Sequence, residues 1–247
     1  MANTLAGKAA LVTGGSRGIG AAIAKRLARE GAAVALTYAG SKQKAEEVAR
    51  DIELAGGRAL AIQADSADAG AVKNAVAETV RTFGRLDILV NSAGVAIVAP
   101  LDEFPLDEFD RMLAINVRGS FVAAQAASRH MGEGGRIILI GSINADRMPF
   151  TGGAPYAMSK AAVAGLTRGL ARDLGPRSIT VNNIQPGPVD TEMNPAEGPF
   201  ADMLKGFLAL GRYGRAEEIA AMVAYLAGPE AGFVTGASLN IDGGFAT

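Results

Sequence analysis

The sequence predicts a single doubly wound α/β domain: a seven-stranded parallel sheet with helices on both faces. Three observations lead there. Short apolar runs alternate with longer helical patterns along all 247 residues. Neither a linker nor a 20–50-residue repeat divides them, so residues 1–247 read as one unit. The 32 glycines suit the many tight turns that such alternation requires. Continuous apolar strands separated by helix-length segments mark a sheet buried on both sides. Right-handed crossovers then place helices on both of its faces.

The strands are expected near 9–13, 33–38, 58–63, 87–91, 135–141, 178–184 and 237–241, and the helices near 18–30, 42–55, 68–83, 107–130, 155–174 and 215–227. Ala9 to Val12 form the first apolar run. A glycine-rich turn with Gly14, Gly18 and Gly20 follows, and then a helix with Ile23 and Leu27 on one face. This strand–turn–helix arrangement suits a pyrophosphate: glycines let the backbone approach closely, and the helix N-terminus offers free N–H groups. The spacing is G-x-x-x-G-x-G, which departs from the general G-x-G-x-x-G dinucleotide fingerprint. After the second strand, ALTYAGSKQK carries no acid; none occurs between Gly31 and Ala45. An NAD site ordinarily places a carboxylate there for the ribose hydroxyls. Ser41, Lys42 and Lys44, with Arg17 from the glycine turn, offer a 2′-phosphate hydroxyl and cationic donors. The cofactor expected is therefore NADP(H) in preference to NAD(H).

LDEFPLDEF (101–109) reads as a loop with a helix starting at Pro105. The run RIILIGS ends on Ser142, and fourteen residues later comes Tyr156-x-x-x-Lys160 in a helical stretch. Positions i and i+4 are neighbours on a helix surface. A tyrosine of pKa about 10 is a poor proton carrier at neutral pH, and a nearby ammonium favours its phenolate. Residues 186–212 break the pattern, with four prolines, four glycines and scattered apolar residues. Such a connection beyond a strand's carboxyl end reads as a substrate lid.

Composition excludes several classes. With 24 basic and 25 acidic residues, the chain has no electrostatic footprint for nucleic acid or an anionic membrane. It has no cysteine, which removes disulfides, cysteine-ligated zinc and thiol nucleophiles. The lone His130 reads as a solvated residue at a helix C-terminus, which leaves a Ser-His-Asp hydrolase without support. Asp102, Glu103, Asp107 and Glu108 read as solvated charges, and no metal is expected. MANTLAGKAALVTGG lacks the apolar core of a signal peptide, and no stretch reaches a bilayer span, so a cytoplasmic location is the default expectation.

Together, TGGSRGIG (13–20), NSAG (91–94), Asn116, Ser142, Tyr156-x-x-x-Lys160 and PGPVDT (186–191) resemble the short-chain dehydrogenase/reductase family, from about Leu5 to the IDGG segment at 241–244. Within it the chain looks most like 3-oxoacyl-[acyl-carrier-protein] reductase-like carbonyl reductases. TYAGSK (37–42), NADRMP (144–149) and GPVDTEMNPAEGP (187–199) are also similar to a subgroup that includes a cyclic-di-GMP-binding biofilm dispersal mediator. The resemblance implies a Rossmann fold and hydride transfer between a nicotinamide and a carbonyl carbon. Tyr156 would carry the proton. Lys160 would lower its pKa and hold the nicotinamide ribose. Ser142 would stabilise the developing alkoxide, and Asn116 would order a relay water. As cofactor contacts it implies Gly14, Ser16, Arg17, Gly18, Ile19, Gly20, Tyr38, Ser41, Lys42 and Ser66, with Asp65 on the adenine amino group. Asn91, Ala93 and Gly94 would line the ribose side and steady the sheet, with Ser92 replacing the family's commoner second Asn. Val189 and Thr191 would hold the nicotinamide carboxamide, with Pro186 and Gly187 also in contact with the cofactor. Arg147, Met148, Phe150 and Met193 would flank a mostly apolar substrate pocket. The family is usually tetrameric, so a homotetramer is expected. An alternative is a regulatory protein binding cyclic-di-GMP or another nucleotide on the same scaffold, with Arg17, Lys42 and Arg147 meeting phosphates.

Overall fold

The computed structural model describes residues 3–247. Its seven strands are β1 (Ala9–Thr13), β2 (Ala33–Tyr38), β3 (Arg58–Gln63), β4 (Ile88–Asn91), β5 (Arg136–Ile140), β6 (Thr180–Pro186) and β7 (Ser238–Ile241). They form one sheet in the order β3-β2-β1-β4-β5-β6-β7, and every pairing is parallel. The register sets Leu11 beside Ala35 on one side and Leu89 on the other, and Thr13 beside Asn91. β1 and β6 are buried along their whole lengths, so β1 reads as a continuous apolar run, while the amides of β6 donate to neighbours, Asn182 to the Val234 carbonyl, Asn183 to Ser238 and Gln185 to Asn240.

Two apolar layers cover the sheet. On one face α1 (Gly18–Arg29), α2 (Lys42–Leu54) and α8 (Ala216–Ala227) bury Ile23, Leu27, Val48, Ile52, Ile219 and Val223 against β1, β2 and their neighbours. On the other, α3 (Ala69–Phe83), α5 (Ser120–Ser128) and α6 (Ala154–Leu174) bury Val72, Val76, Val122, Val163 and Leu170. The α3 boundaries follow from local chemistry. Asp68 accepts hydrogen bonds from the N–H groups of Gly70 and Ala71, and Gly84 ends the helix at φ 77°.

Two expectations need correction. The helix expected over 107–130 is α4 (Leu106–Leu113), a π-type turn over Ala114–Gly119, and then α5. Ser120 Oγ donates to the Asn116 carbonyl at 2.6 Å, occupying an acceptor in the altered turn. Gly119 is needed there, since a Cβ would sit 2.5 Å from the Ser66 carbonyl oxygen. Within 186–212 the chain also forms a short helix, α7 (Pro199–Lys205). Ala201 and Leu204 of α7 join Ile143, Leu208, Tyr213 and Phe245 in a third, smaller apolar cluster beneath this connection. Among the described residues, no helix is long and apolar enough to cross a membrane.

Candidate active site

The strand order reverses between β1 and β4, and a cavity of about 560 Å³ opens there along the carboxyl ends of the strands, the usual ligand site of an open α/β sheet. The turn after β1 is shaped by contacts that only glycine permits. Gly14 adopts φ 66° and lies against Ala93, where a Cβ would come within 2.8 Å of backbone. A Cβ at Gly20 would stand 2.2 Å from the Gly14 carbonyl oxygen, so this residue sets how tightly α1 docks on the turn. No side chain caps the N-terminus of α1, which leaves its first N–H groups available to an anion. Gly14, Ser16, Arg17, Gly18, Ile19 and Gly20 all line the cavity.

Tyr38, Ser41, Asp65, Ser66, Ala93 and Gly94 line the cavity beyond the ends of β2, β3 and β4, and Pro186, Gly187, Val189 and Thr191 line it from the end of β6 onward. Two expected contacts lie outside the lining. Lys42, at the start of α2, turns along the helix to pair with Glu46 at 3.6 Å. Asn91 is buried behind the cleft, where it accepts from Thr13 Oγ1 at 3.0 Å and donates to Ser120 Oγ at 2.9 Å. Thr13 Oγ1 in turn accepts from the Ala93 N–H at 3.2 Å. Asn91 therefore steadies the sheet and the loop after β4. Lys44 is engaged by Glu192, 2.7 Å away, and Arg17 stands 3.6 Å from the same carboxylate. Arg17 is the cation that lines the cleft on this side.

The residues expected to handle the proton come together from β5, α6 and the π-type turn. β5 delivers Ser142 through Gly141, where a Cβ would collide with Asn183 at 2.4 Å. The Asn144 N–H donates to Ser142 Oγ at 3.1 Å and fixes the hydroxyl. α6 carries Tyr156 and Lys160, and Lys160 Nζ donates to the Ile140 carbonyl at 3.0 Å. Ser142, Tyr156 and Lys160 all line the cavity. Asn116 lies just behind: its Nδ2 donates to the Val95 carbonyl at 2.9 Å and to Ser159 Oγ at 3.0 Å, and its Oδ1 accepts from the Val95 N–H. Both Lys160 Nζ and Asn116 Oδ1 border the space beside Gly94, where an added Cβ would meet them at 3.3 and 3.4 Å.

The electrostatics depart from the expectation for the tyrosine. Burial pushes the Tyr156 phenol up, and hydrogen bonding to Ser142 pulls it only part of the way back. The ammonium does not reverse this. It points to the Ile140 carbonyl and lies 5.8 Å from the centre of the Tyr156 ring. Tyr156 still touches the open pocket, but the protein around it is dense enough to disfavour phenolate. Lys160 is only 6% exposed, and burial brings it down from 10.5 to about 8. That gap corresponds to about 3 kcal/mol against the buried ammonium. An unfolded chain holds this proton up to about pH 10.5, whereas the fold releases it near 8. The group's contribution to stability therefore rises with pH across that window. The unfolding temperature of the wild type, measured relative to Lys160→Met, should increase between pH 7 and 9.5. A pH-independent difference would contradict this reading.

On the substrate side, Phe150 and Met193 line the cavity as expected, with Phe200, Leu204 and Phe245 beside them. Phe150 and Phe200 meet edge-on, with centroids 5.5 Å apart. Arg147 and Met148 are not part of the lining. The Arg147 guanidinium instead donates to the main-chain oxygens of Phe245 and Thr247. Phe245 escaped the sequence reading because its place depends on contacts made across about a hundred residues of chain; the only local signal was a lone aromatic after IDGG. Among the described residues, no group of three or more His, Cys, Asp or Glu side chains gathers to hold a metal.

A glycine cradle at an uncapped helix N-terminus, continuous with a buried Lys–Tyr–Ser group, fits a nicotinamide dinucleotide. Comparisons with known proteins agree. The family described as enoyl-(acyl carrier protein) reductase matches residues 14–246. A short-chain dehydrogenase/reductase from Serratia marcescens is 66% identical, with a TM-score of 0.98 over 99% of this chain and 100% of that one. A short-chain dehydrogenase from Burkholderia cenocepacia J2315, crystallised in complex with NADP, is 56% identical, also with a TM-score of 0.98 and covering 99% of this chain and 100% of that one. The cyclic-di-GMP-binding biofilm dispersal mediator protein of Escherichia coli K12 is 52% identical over 97% of both chains. On its site, its fold and these relatives, the chain belongs to the short-chain dehydrogenase/reductase family of oxidoreductases.

Proposed function

We propose that this protein is an NADPH-dependent reductase of ketone carbonyls, 3-oxoacyl compounds included. The observation that carries the reading is the meeting of Ser142, Tyr156 and Lys160 on one cavity that runs back to the glycine turn. The bound cofactor supplies the hydride. Tyr156 gives its proton to the carbonyl oxygen, and a phenol held neutral by burial is in the correct state to do so. Ser142, its hydroxyl fixed by Asn144, donates a hydrogen bond to the oxygen as charge develops on it. Lys160 orients the nicotinamide ribose, and Asn116 Oδ1 beside it holds a water that returns the proton.

Arg17 and Ser41 line the cleft and no acid occurs between Gly31 and Ala45 to meet the ribose hydroxyls, which favours a 2′-phosphate able to draw Arg17 from its 3.6 Å pairing with Glu192. The ratio of kcat/KM for NADPH to that for NADH should exceed about tenfold, a factor worth about 1.4 kcal/mol. It should fall toward one in Arg17→Ala. A wild-type ratio below one would overturn the preference. We also propose a homotetramer, supported by exposed apolar side chains on two faces: Leu106, Phe121 and Met158 on one, Tyr225 and Phe233 on the other. Light scattering that returns a monomer at micromolar concentration would refute it.

The printed name of the Escherichia coli relative supports a second reading, in which the same cleft takes cyclic-di-GMP. Of the three cations suited to its phosphates, Arg17 lines the cleft, paired with Glu192 at 3.6 Å, while Lys42 and Arg147 lie outside the lining with partners of their own. Calorimetry with NADPH and cyclic-di-GMP separates the two. The reductase reading expects NADPH to bind more tightly; tight cyclic-di-GMP binding with no ketone turnover would favour the regulatory one.

A further inference from the structure

Arg147 reaches a segment distant in sequence through one guanidinium nitrogen, Nη1. It donates to the main-chain oxygens of Phe245 and Thr247, and its guanidinium carbon stands 5.6 Å from the centres of both the Phe207 and Phe245 rings. Those two rings meet edge-on at 6.0 Å. The base of this bracket is rigid. The Arg147 N–H donates to the Ile143 carbonyl at 3.0 Å, its own carbonyl accepts from Asn144 Nδ2 at 2.9 Å, and the neighbouring Asp146 carboxylate accepts from Gln185 Nε2 at 2.6 Å. Asn144 is also the residue that fixes the Ser142 hydroxyl. On the far side, the Asp242 carboxylate accepts from the N–H groups of Gly244 and Ala246. The result is a Phe245 side chain 1% exposed, held against the cavity.

We propose that Arg147 is a positioning residue that sets substrate choice: it holds Phe245 in place beside Phe150 and Phe200 along the cavity, forming an aromatic pocket that takes planar aromatic or cyclic carbonyl compounds. Ring edges and faces converging from three segments favour a flat π-system over a flexible aliphatic chain. Nη1 alone bridges the two main-chain oxygens while the planar guanidinium lies over both rings, and it is that delocalised plane which a compact ammonium lacks. The substrate class rests on the carbonyl-reductase reading, whereas the wall itself requires only that the cavity bind an aromatic ligand.

The probe is 2-naphthol, a non-reducible stand-in for an aromatic substrate, titrated by calorimetry into the NADP⁺-loaded protein. Arg147→Met and Phe245→Ala should each weaken its binding about tenfold while leaving the affinity for NADP⁺ unchanged. The double variant should bind no more weakly than Phe245→Ala alone, because Arg147 acts through that ring. Arg147→Lys, which keeps a cation but loses the planar guanidinium over the rings, should show a smaller loss and carries the same test in a fold-sparing form. Full probe affinity in either Arg147 variant would overturn the proposal. So would multiplied losses in the double variant, a parallel loss of NADP⁺ binding, or a wild type that ignores 2-naphthol at millimolar concentration. A wild type that shows the expected binding pattern but reduces no ketone sinks the reductase reading and leaves the wall standing. One that reduces aliphatic ketones without affinity for 2-naphthol does the reverse.

Discussion

Tyr156→Phe is expected to abolish ketone reduction, lowering kcat/KM on the order of 10³-fold or more, while NADPH binding is retained. General acid catalysis by a positioned group contributes about 10²–10⁴-fold, and the nearby Lys160 ammonium is held on the Ile140 carbonyl. The adjacent hydroxyl, Ser142, is fixed as an acceptor by the Asn144 N–H and lies at the end of β5, where it can donate to an oxygen but has no base to replenish it. The ring edge and its packing survive the substitution, so the cavity keeps its shape. Ser142→Ala should be milder, at about 10²-fold in kcat, as for other losses of one donor to a developing oxyanion. Stopped-flow NADPH oxidation with fluorescence titration of the cofactor checks both. A Tyr156→Phe variant turning over at near wild-type rate would remove Tyr156 from the mechanism.

Gly20→Ala is expected to weaken NADPH binding by about 100-fold or more. The added Cβ would lie 2.2 Å from the Gly14 carbonyl oxygen and 2.9 Å from its carbonyl carbon, and both are backbone atoms with no rotamer to escape into. Relief requires α1 to move away from the turn, which withdraws its N–H groups from the pyrophosphate site. Overpacking of this kind costs about 1–3 kcal/mol in stability, so the variant should fold while losing its ligand. Calorimetry with NADPH alongside thermal unfolding tests this. Undiminished NADPH affinity in a folded Gly20→Ala variant would mean that the turn does not hold the pyrophosphate.

The strands were legible because a parallel sheet buried on both faces must be written as continuous apolar runs, and the β1–α1 turn because its glycines answer contacts made within a few residues. The i,i+4 relation of Tyr156 and Lys160 was equally local. Their electrostatics were not. Spacing brought an ammonium near a phenol but said nothing of burial, which raises Tyr156 and lowers Lys160. The π-type turn at Asn116 was hidden for a similar reason: its hydrogen-bond register depends on Val95, Ser120 and Ser159, which composition cannot place. α7 is seven residues inside a segment rich in proline and glycine, too short for a periodic signal. Lys42 and Arg147 looked available for phosphates as charges in a string, and each proved to have a partner, one four residues away and the other about a hundred.

The central claim is that this cavity transfers hydride to a ketone with Tyr156 supplying the proton. The most direct measurement incubates the protein with NADPH deuterated at nicotinamide C4, in both stereochemical forms, and a panel of aromatic, cyclic, keto-ester and 3-oxoacyl thioester substrates. The account expects an alcohol carrying deuterium on its carbinol carbon from one of the two forms, and no product from Tyr156→Phe. No labelled alcohol from any ketone, or equal labelling by Tyr156→Phe, would contradict it.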